Sequence, residues 1–142
     1  MPPPEAEAPG ELLVVENDER IANLMAWFLE RRGHRVQKAR SFHEARRCIE
    51  ARRPELVLSD LDLGGESGRD ELPRLAEAGL LPPTLVVSGY VDADTARELR
   101  AIPGVVGILP KPFELARLEA LVGELLGRIR RAPATPRPTA AP

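Results

Sequence analysis

Short apolar runs alternate with longer amphipathic segments along most of the chain, and this alternation constrains the fold more than any other feature. The runs are "LLVV" from residue 12, "HRVQKA" from 34, "ELVL" from 55, "TLVV" from 84 and "VVGIL" from 105. Runs of this length predict strands, and the segments between them have apolar residues at helical spacing. The sequence therefore predicts an α/β fold, a doubly wound five-stranded parallel sheet with helices on both faces.

Several helices have recognisable ends and apolar stripes. The first helix is predicted to bury the residues that recur at helical spacing, Ile21, Leu24, Met25 and Phe28. Gly33 follows it and can adopt the left-handed conformation that ends a helix. Ser41 with Glu44 predicts a capping box at the start of the next helix. The last helix has one long apolar stripe: Leu115, Leu118, Leu121, Val122, Leu125 and Ile129.

The chain of 142 residues, 43% of them hydrophobic, can bury one sizeable core, so we expect a single domain over residues 11–131. The proline-rich segments 1–10 and 132–142 are predicted to be disordered tails. Cys48 has no second cysteine to pair with, which suits a reducing compartment, and we expect it to be buried as a small apolar residue. No run approaches the roughly 20 apolar residues of a membrane-spanning helix. We therefore expect a cytoplasmic protein without membrane contact.

The charges and the remaining distinctive side chains indicate no further site. Twenty basic residues nearly balance 22 acidic ones, so no net field would recruit nucleic acid or an anionic membrane. His34 and His43 lack metal-ligand spacing and are predicted to lie on the surface. Trp27 falls beside the stripe of the first helix, where it is either partly buried at the stripe's edge or a partner contact.

Polar side chains follow four of the predicted strands. They are, in chain order, Glu16, Asn17, Asp18, Asp60, Ser88 and Lys111. Each alone has a structural explanation, because such residues also open helices, cap turns, end strands or face solvent. In a parallel sheet, however, the carboxyl ends of the strands meet at one edge, where functional residues gather. We therefore expect one site.

The chemistry of that set fits the transfer of a phosphoryl group onto a carboxylate. Acidic side chains can hold Mg²⁺, which takes oxygen ligands and neutralises phosphate charge. A lysine can act as a point charge on one phosphate oxygen, and a serine hydroxyl can donate to another. Gly89, next to Ser88, leaves room for the phosphoryl group.

In combination, these segments resemble the receiver domain of bacterial two-component response regulators, over residues 11–131. "LLVVENDE" resembles the first strand and acidic pocket, and "ELVLSDLDLGGESG" resembles the phosphoacceptor strand and its loop. "TLVVSGY" resembles the fourth strand with its hydroxyl residue, and "LPKPF" resembles the lysine followed by a cis-peptide proline. The resemblance implies the flavodoxin-like (βα)5 receiver fold.

The resemblance also implies residue roles. Asp60 would accept phosphate from a sensor histidine kinase or a histidine phosphotransfer protein, and Ser88 and Lys111 would contact the phosphoryl group. The implied Mg²⁺ ligands are Glu16, Asn17, Asp60 and the main chain of Asp62. The side chain of Asp62 would lie near the phosphate and could tune its hydrolysis.

Two positions depart from the family pattern. Asn17 stands where the family usually has a coordinating aspartate, which predicts weaker Mg²⁺ binding and slower phosphorylation. Asp18 could compensate only if the first strand shifted by one residue, which would turn its core face outward. Ile108 stands where receivers commonly have Tyr or Phe, which predicts a muted or different conformational switch, with Tyr90 as a substitute reporter.

The favoured function is therefore a stand-alone receiver, not an enzyme, that signals by contact with an unidentified downstream protein. No output domain follows residue 131, so we expect no direct binding of nucleic acid. A homodimer through the fourth helix, fifth strand and fifth helix is one expected mode of association. Two alternatives remain open: a pseudo-receiver that signals without phosphate, and a phosphatase of the haloacid dehalogenase type, since "DLDLGG" also resembles that family's nucleophile motif.

Overall fold

The structure is a computed structural model that describes residues 8–89 and 91–132. Within those residues, five strands alternate with five helices. The strands are β1 (Glu11–Val15), β2 (Arg35–Ala39), β3 (Leu56–Ser59), β4 (Thr84–Ser88) and β5 (Val105–Pro110). The helices are α1 (Glu19–Glu30), α2 (Phe42–Ala51), α3 (Gly68–Glu77), α4 (Ala93–Arg100) and α5 (Leu115–Arg131). The strands form one parallel sheet in the order β2-β1-β3-β4-β5. The predicted doubly wound α/β sheet is confirmed.

Both faces of the sheet are covered, and β1 shows how. Leu12 and Val14 pack with residues of α1 and α5, whereas Leu13 and Val15 pack with residues of α2 and α3. Because successive side chains of a strand point to opposite faces, a strand inside such a sheet is buried on both. This explains why the run "LLVV" is apolar at every position.

The face through which α1 packs differs from the predicted one. Its buried residues are Ala22, Met25, Ala26 and Leu29. Leu24, predicted to face the core, is 50% exposed, and Trp27 is 56% exposed, more than partial burial at the edge of a stripe would leave it. The prediction is confirmed for Met25, and Ile21 is partly buried against the core, but the prediction missed Ala22, Ala26 and Leu29.

The predicted helix ends agree with the structure. Gly33 has φ +89°, the left-handed conformation expected after α1. The Ser41 hydroxyl accepts a hydrogen bond from the Glu44 N–H at 3.1 Å, which caps α2. The carboxylate of Glu44 accepts from the Arg40 N–H at 2.7 Å, one residue earlier than a standard capping box requires.

Two predictions about burial are wrong. Cys48 is only partly buried on α2, because it lies toward the rim of the helix face that Ala45 and Ile49 bury. His34 is 9% exposed, and its Nδ1 accepts a hydrogen bond from the Gly10 N–H at 3.0 Å. The chain entering β1 covers His34, a contact between distant residues that no local pattern indicates. His43 is exposed, as predicted.

Most of the two predicted tails, residues 1–7 and 133–142, lies outside the described residues. Of residues 8–10, the carbonyl oxygens of Ala8 and Pro9 accept hydrogen bonds from Arg130 at 2.7 and 3.3 Å. No helix formed by residues 8–89 and 91–132 combines the length and apolarity needed to cross a membrane.

Candidate functional site

The sheet brings the ends of four strands side by side. Val15 of β1 pairs with Ser59 of β3, Ser59 pairs with Val86 of β4, and Ser88 pairs with Pro110 of β5. The residues that follow these strands therefore lie along one edge. The candidate site residues at this edge are Glu16, Asp60, Ser88 and Lys111.

Asp60 is the centre of the site. Its Oδ1 accepts hydrogen bonds from the backbone N–H groups of Leu61 at 2.6 Å and Asp62 at 3.2 Å. Its Oδ2 accepts from Lys111 Nζ at 2.8 Å. The side chain is 12% exposed, so it is held in a defined orientation yet open to a small reactant.

The charges of three side chains are coupled here. Burial raises the pKa of Glu16 to about 7; the contact with Asp60 and its charge add to this rise, and Lys111 opposes it. Burial alone would raise the pKa of Asp60, but hydrogen bonds from Lys111 and the Asp62 backbone leave that pKa below its ordinary value. Burial would lower the pKa of Lys111, but the carboxylates of Asp60 and Glu16 raise this pKa above its ordinary value. The surroundings thus favour the ionised form of Asp60, whereas burial favours the protonated form of Glu16.

Glu16 is 4% exposed, and its Oε2 lies 3.7 Å from Lys111 Nζ. The carboxyl group of Glu16 is buried next to a second carboxylate, and its pKa is raised. At such a site a divalent cation can take the place of a proton. The charge and oxygen chemistry of the pair therefore fit Mg²⁺.

The third acidic group expected in such a pocket is missing. Among the residues that the structure describes, no group of three or more His, Cys, Asp and Glu side chains is arranged to hold a metal ion. Asn17 is exposed, and its amide nitrogen would lie 3.0 Å from a Cβ placed on Gly64. An amide oxygen at this position would supply a neutral ligand.

Asp18 does not replace the missing acid. Its Oδ1 accepts hydrogen bonds from the N–H groups of Arg20 at 2.9 Å and Ile21 at 3.4 Å, so it is the N-cap of α1. β1 is buried on both faces, and its Val15 pairs with Ser59 of β3. The hypothesis of a one-residue shift is therefore wrong, because it would exchange the two buried faces of the strand.

Asp62 lies in the loop that follows Asp60. Its side chain is exposed, and its Oδ1 accepts from the Gly64 N–H at 3.3 Å. Its main chain forms an antiparallel bridge with Ser67.

The far side of the site is formed by β4 and β5. Ser88 is 7% exposed, and its carbonyl oxygen accepts from the Lys111 N–H at 2.8 Å. A Cβ placed on Gly89 would meet nothing within 4 Å, so the space beside Ser88 is open. The peptide bond between Lys111 and Pro112 is cis, as the resemblance implies.

Ile108, at the position of the expected aromatic switch residue, is partly buried against the core that α2, α3 and α4 cover. Tyr90, the predicted substitute reporter, lies outside the described residues.

Sequence reasoning missed one residue beside the site. The Oε1 of Glu66 accepts a hydrogen bond from the Phe42 N–H, the first residue of α2, at 2.9 Å. The partners are 24 positions apart, so no local motif predicts the contact.

Comparisons with known proteins agree with this fold. Residues 12–123 match the family model described as the response regulator receiver domain. The match covers most of the chain, so the chain belongs to the response regulator receiver domain family of two-component systems.

Three relatives indicate how this chain compares in length. Protein PetR of Rhodobacter capsulatus is 31% identical over 88% of this chain and 52% of its own length. The transcriptional regulator NtrC of Rhizobium meliloti is 31% identical over 86% of this chain and 25% of its own. This chain therefore spans about half of PetR and a quarter of NtrC. Protein Rrf1 of Nitratidesulfovibrio vulgaris is 30% identical over 94% of this chain and 96% of its own.

Solved structures support the fold. The signal receiver domain of a LuxO repressor protein from Vibrio parahaemolyticus has a TM-score of 0.78 at 24% identity, covering 86% of this chain and 93% of that one. NtrX from Brucella abortus has a TM-score of 0.76 at 26% identity, covering 86% of this chain and 28% of that one. The fold is the flavodoxin-like receiver fold.

Proposed function

We propose that this chain is a phosphoacceptor module that takes a phosphoryl group on Asp60 from a histidine kinase or a histidine phosphotransfer protein. The observation that carries the proposal is the placement of Asp60. Its Oδ1 is held by two backbone N–H groups and its Oδ2 by Lys111, at an edge that is open next to Gly89.

The proposed reaction forms a bond between phosphorus and a carboxylate oxygen of Asp60 and breaks the bond between phosphorus and the donor's imidazole nitrogen. The leaving imidazole keeps the electron pair and can take a proton from water. The Nζ of Lys111 lies 2.8 Å from Oδ2 of Asp60. As negative charge builds up on a phosphoryl oxygen during the transfer, this ammonium group would contact that oxygen and stabilise the charge. The hydroxyl of Ser88 would donate to another oxygen.

Mg²⁺, when bound, would neutralise phosphoryl charge at this site. The proposed ligands are Glu16, Asp60, the amide oxygen of Asn17 and the main-chain carbonyl of Asp62. The oxygen donors and the raised pKa of Glu16 support this set. The neutral amide at position 17 supports weak binding, because it removes one negative charge from the pocket.

The second candidate function is a pseudo-receiver that docks without phosphate. The lack of a third acid in the pocket and the aliphatic side chain of Ile108 favour it. The ion pair between Asp60 and Lys111 opposes it, because docking alone does not require a partly buried charged pair at this edge of the sheet. The phosphatase alternative loses its support, because the chain belongs to the receiver family and receiver domains are signalling modules.

The exposed side of α1 is the proposed docking surface for the phosphate donor. Leu24 and Trp27 are 50% and 56% exposed, and the Arg31 guanidinium lies 4.9 Å from the centre of the Trp27 ring. Apolar side chains beside a cation offer a partner both contact area and orientation. Association through α4, β5 and α5 is a further proposal; β5 is an edge strand of the sheet, and Val106 on it is 36% exposed.

The test is intact-mass spectrometry of the wild type and Asp60→Asn after incubation with acetyl phosphate and Mg²⁺. We expect one phosphate adduct on the wild type and none on Asp60→Asn or in the presence of EDTA. No adduct on a folded wild type at any Mg²⁺ concentration would contradict the proposal and favour the pseudo-receiver.

A further inference from the structure

Glu66 links two parts of the fold that the chain does not connect directly. It lies in the loop between β3 and α3, which follows Asp60, and its carboxylate accepts a hydrogen bond from the N–H of Phe42 at 2.9 Å. Phe42 is the first residue of α2. The loop beside the candidate site is therefore tied to the N-terminus of a helix that precedes it by 24 residues.

Leu61 and Leu63, which are 8% and 5% exposed, pack into the core with α2 and α3 and anchor the first part of the loop, whereas the side chains of residues 64–67 are not buried. Gly64 and Gly65 have φ values of +65° and +122°, and a Cβ on Gly65 would meet nothing within 4 Å. Internal hydrogen bonds, such as the one from the Leu63 N–H to the Glu66 carbonyl oxygen at 3.1 Å, close the loop on itself. Such bonds set the shape of the loop, but they do not set its position relative to neighbouring elements.

The anchor point at α2 is rigid. Phe42 is 3% exposed and packs in the core between α2 and the sheet. The first N–H groups of a helix have no partner within the helix, and the positive end of the helix dipole favours a carboxylate. Ser41 accepts from Glu44 and Glu44 accepts from Arg40, so both leave the Phe42 N–H to Glu66.

The loop in turn contacts the site at three points. The N–H groups of Leu61 and Asp62 donate to Asp60 Oδ1 at 2.6 and 3.2 Å, and the amide of Asn17 lies against Gly64. A shift of the loop would therefore move a donor to Asp60 and the main chain of Asp62 together.

We infer that Glu66 is a positioning residue that holds the loop over residues 61–67 in register with Asp60 by binding the N-terminus of α2. The effect on phosphorylation rests on the function proposed above, whereas the tether itself does not. Replacing the carboxylate removes the tether of residues 64–67 while leaving every side chain of the proposed reaction in place.

The experiment compares Glu66→Ala and Glu66→Gln with the wild type and with Glu44→Ala. Glu44 is the matched control, because its carboxylate also serves the start of α2 but does not belong to the loop. The first readout is amide hydrogen exchange at Leu63 and Gly68, whose N–H groups are bonded within the loop. The second is the Mg²⁺ dependence of phosphorylation by acetyl phosphate.

We expect Glu66→Ala to speed exchange at these amides roughly tenfold, because hydrogen bonds to charged groups contribute more than neutral ones. The Mg²⁺ concentration for half-maximal phosphorylation should rise several-fold, with a smaller change in the maximal rate. Glu66→Gln, which keeps an accepting oxygen, should restore most of both properties. Glu44→Ala should leave both at the wild-type level.

If the loop amides of Glu66→Ala exchange at the wild-type rate, the inference is overturned. The same holds if exchange at these amides is accelerated equally in Glu44→Ala. Either result would leave Glu66 as a helix cap only. Faster loop exchange with unchanged Mg²⁺ dependence would overturn the positioning role. If the wild type is not phosphorylated at all, the proposed function fails; the exchange comparison and an NMR titration with Mg²⁺ alone then decide whether Glu66 positions the loop.

Discussion

The Nζ of Lys111 lies 2.8 Å from Oδ2 of Asp60, although the two residues are 51 positions apart in the chain. The contact exists because β3 and β5 flank β4 in a parallel sheet, so that both strands end at the same edge. One ammonium group thereby keeps Asp60 ionised and lies within 3.7 Å of Glu16.

Replacing Lys111 tests that arrangement. In Lys111→Met, two carboxyl groups remain close together without a cation, so we expect the pKa of Asp60 to rise. We also expect phosphorylation by acetyl phosphate to slow roughly tenfold or more, because a preorganised charge on the phosphoryl group is lost. Carboxyl ¹³C NMR titration and the initial rate of adduct formation measure the two effects.

Lys38, the other lysine of the chain, provides the control. It is exposed and donates to Asn23 at 2.7 Å, so Lys38→Met should change neither quantity. An unchanged Asp60 pKa in Lys111→Met would contradict the proposed role of the ion pair.

Adding a charge at position 17 should strengthen Mg²⁺ binding. In Asn17→Asp, a third carboxylate joins Glu16 and Asp60, and we expect Mg²⁺ affinity to rise about tenfold, given the Coulomb energy of an added charge in a partly exposed site. Isothermal titration with Mg²⁺ measures it. Asn23→Asp adds the same charge on the exposed surface of α1 and should have little effect. Equal affinities for Asn17→Asp and the wild type would exclude position 17 as a ligand.

Gly68 should not tolerate a side chain. A Cβ there would lie 2.9 Å from Cδ2 of Leu61 and 3.0 Å from its Cα, so the main chain next to Asp60 would have to move. We expect Gly68→Ala to lower the free energy of unfolding by about 1–3 kcal/mol, the range for overpacked sites, as measured by urea denaturation.

Gly123 is the matched glycine in α5, where a Cβ would meet nothing within 4 Å. Gly123→Ala should instead raise the free energy of unfolding, by up to about 1 kcal/mol, because alanine favours the helix. A Gly68→Ala protein as stable as the wild type would show that the loop after Asp60 adapts freely.

His34 should make the fold sensitive to acid. Burial lowers the pKa of His34 below its ordinary value of 6.5; the charge of Arg130 adds to this effect, and the charges of Glu119 and Glu55 oppose it. At pH values between the lowered pKa of His34 in the folded state and its ordinary pKa of 6.5 in the unfolded state, the unfolded state therefore binds more protons. The contribution of His34 to the free energy of unfolding should be unaffected above pH 6.5 and fall below it, by at most about 1.4 kcal/mol per pH unit for one proton. Glu16, whose pKa is raised to about 7, contributes a slope of the opposite sign in this range.

Urea denaturation above and below pH 6.5 measures this dependence in the wild type, His34→Gln and His43→Gln. The difference in free energy of unfolding between the wild type and His34→Gln should fall below pH 6.5, because all other groups are common to the two proteins. The difference between the wild type and His43→Gln should not change with pH, because His43 is exposed. The same slope in all three proteins would assign the acid sensitivity to other groups.

Local patterns account for much of what the sequence predicts correctly. The strands follow from short apolar runs, and the helix ends follow from Gly33 and Ser41, because each depends on residues close together in the chain. The grouping of Asp60 and Lys111 was also predictable, since parallel strands end at one edge of a sheet. The buried face of α1 was predicted only in part, because Ala22 and Ala26 are buried without contributing to a pattern of large apolar residues.

The sequence by itself determined which segments form strands and helices and which chemical groups follow the strand ends. Only the tertiary structure decided that Asn17 lies against Gly64, that Gly10 covers His34, and that Glu66 binds the start of α2. Each of these contacts joins residues far apart in the chain. Their geometry depends on how whole elements pack, which the spacing of apolar residues within one segment does not specify.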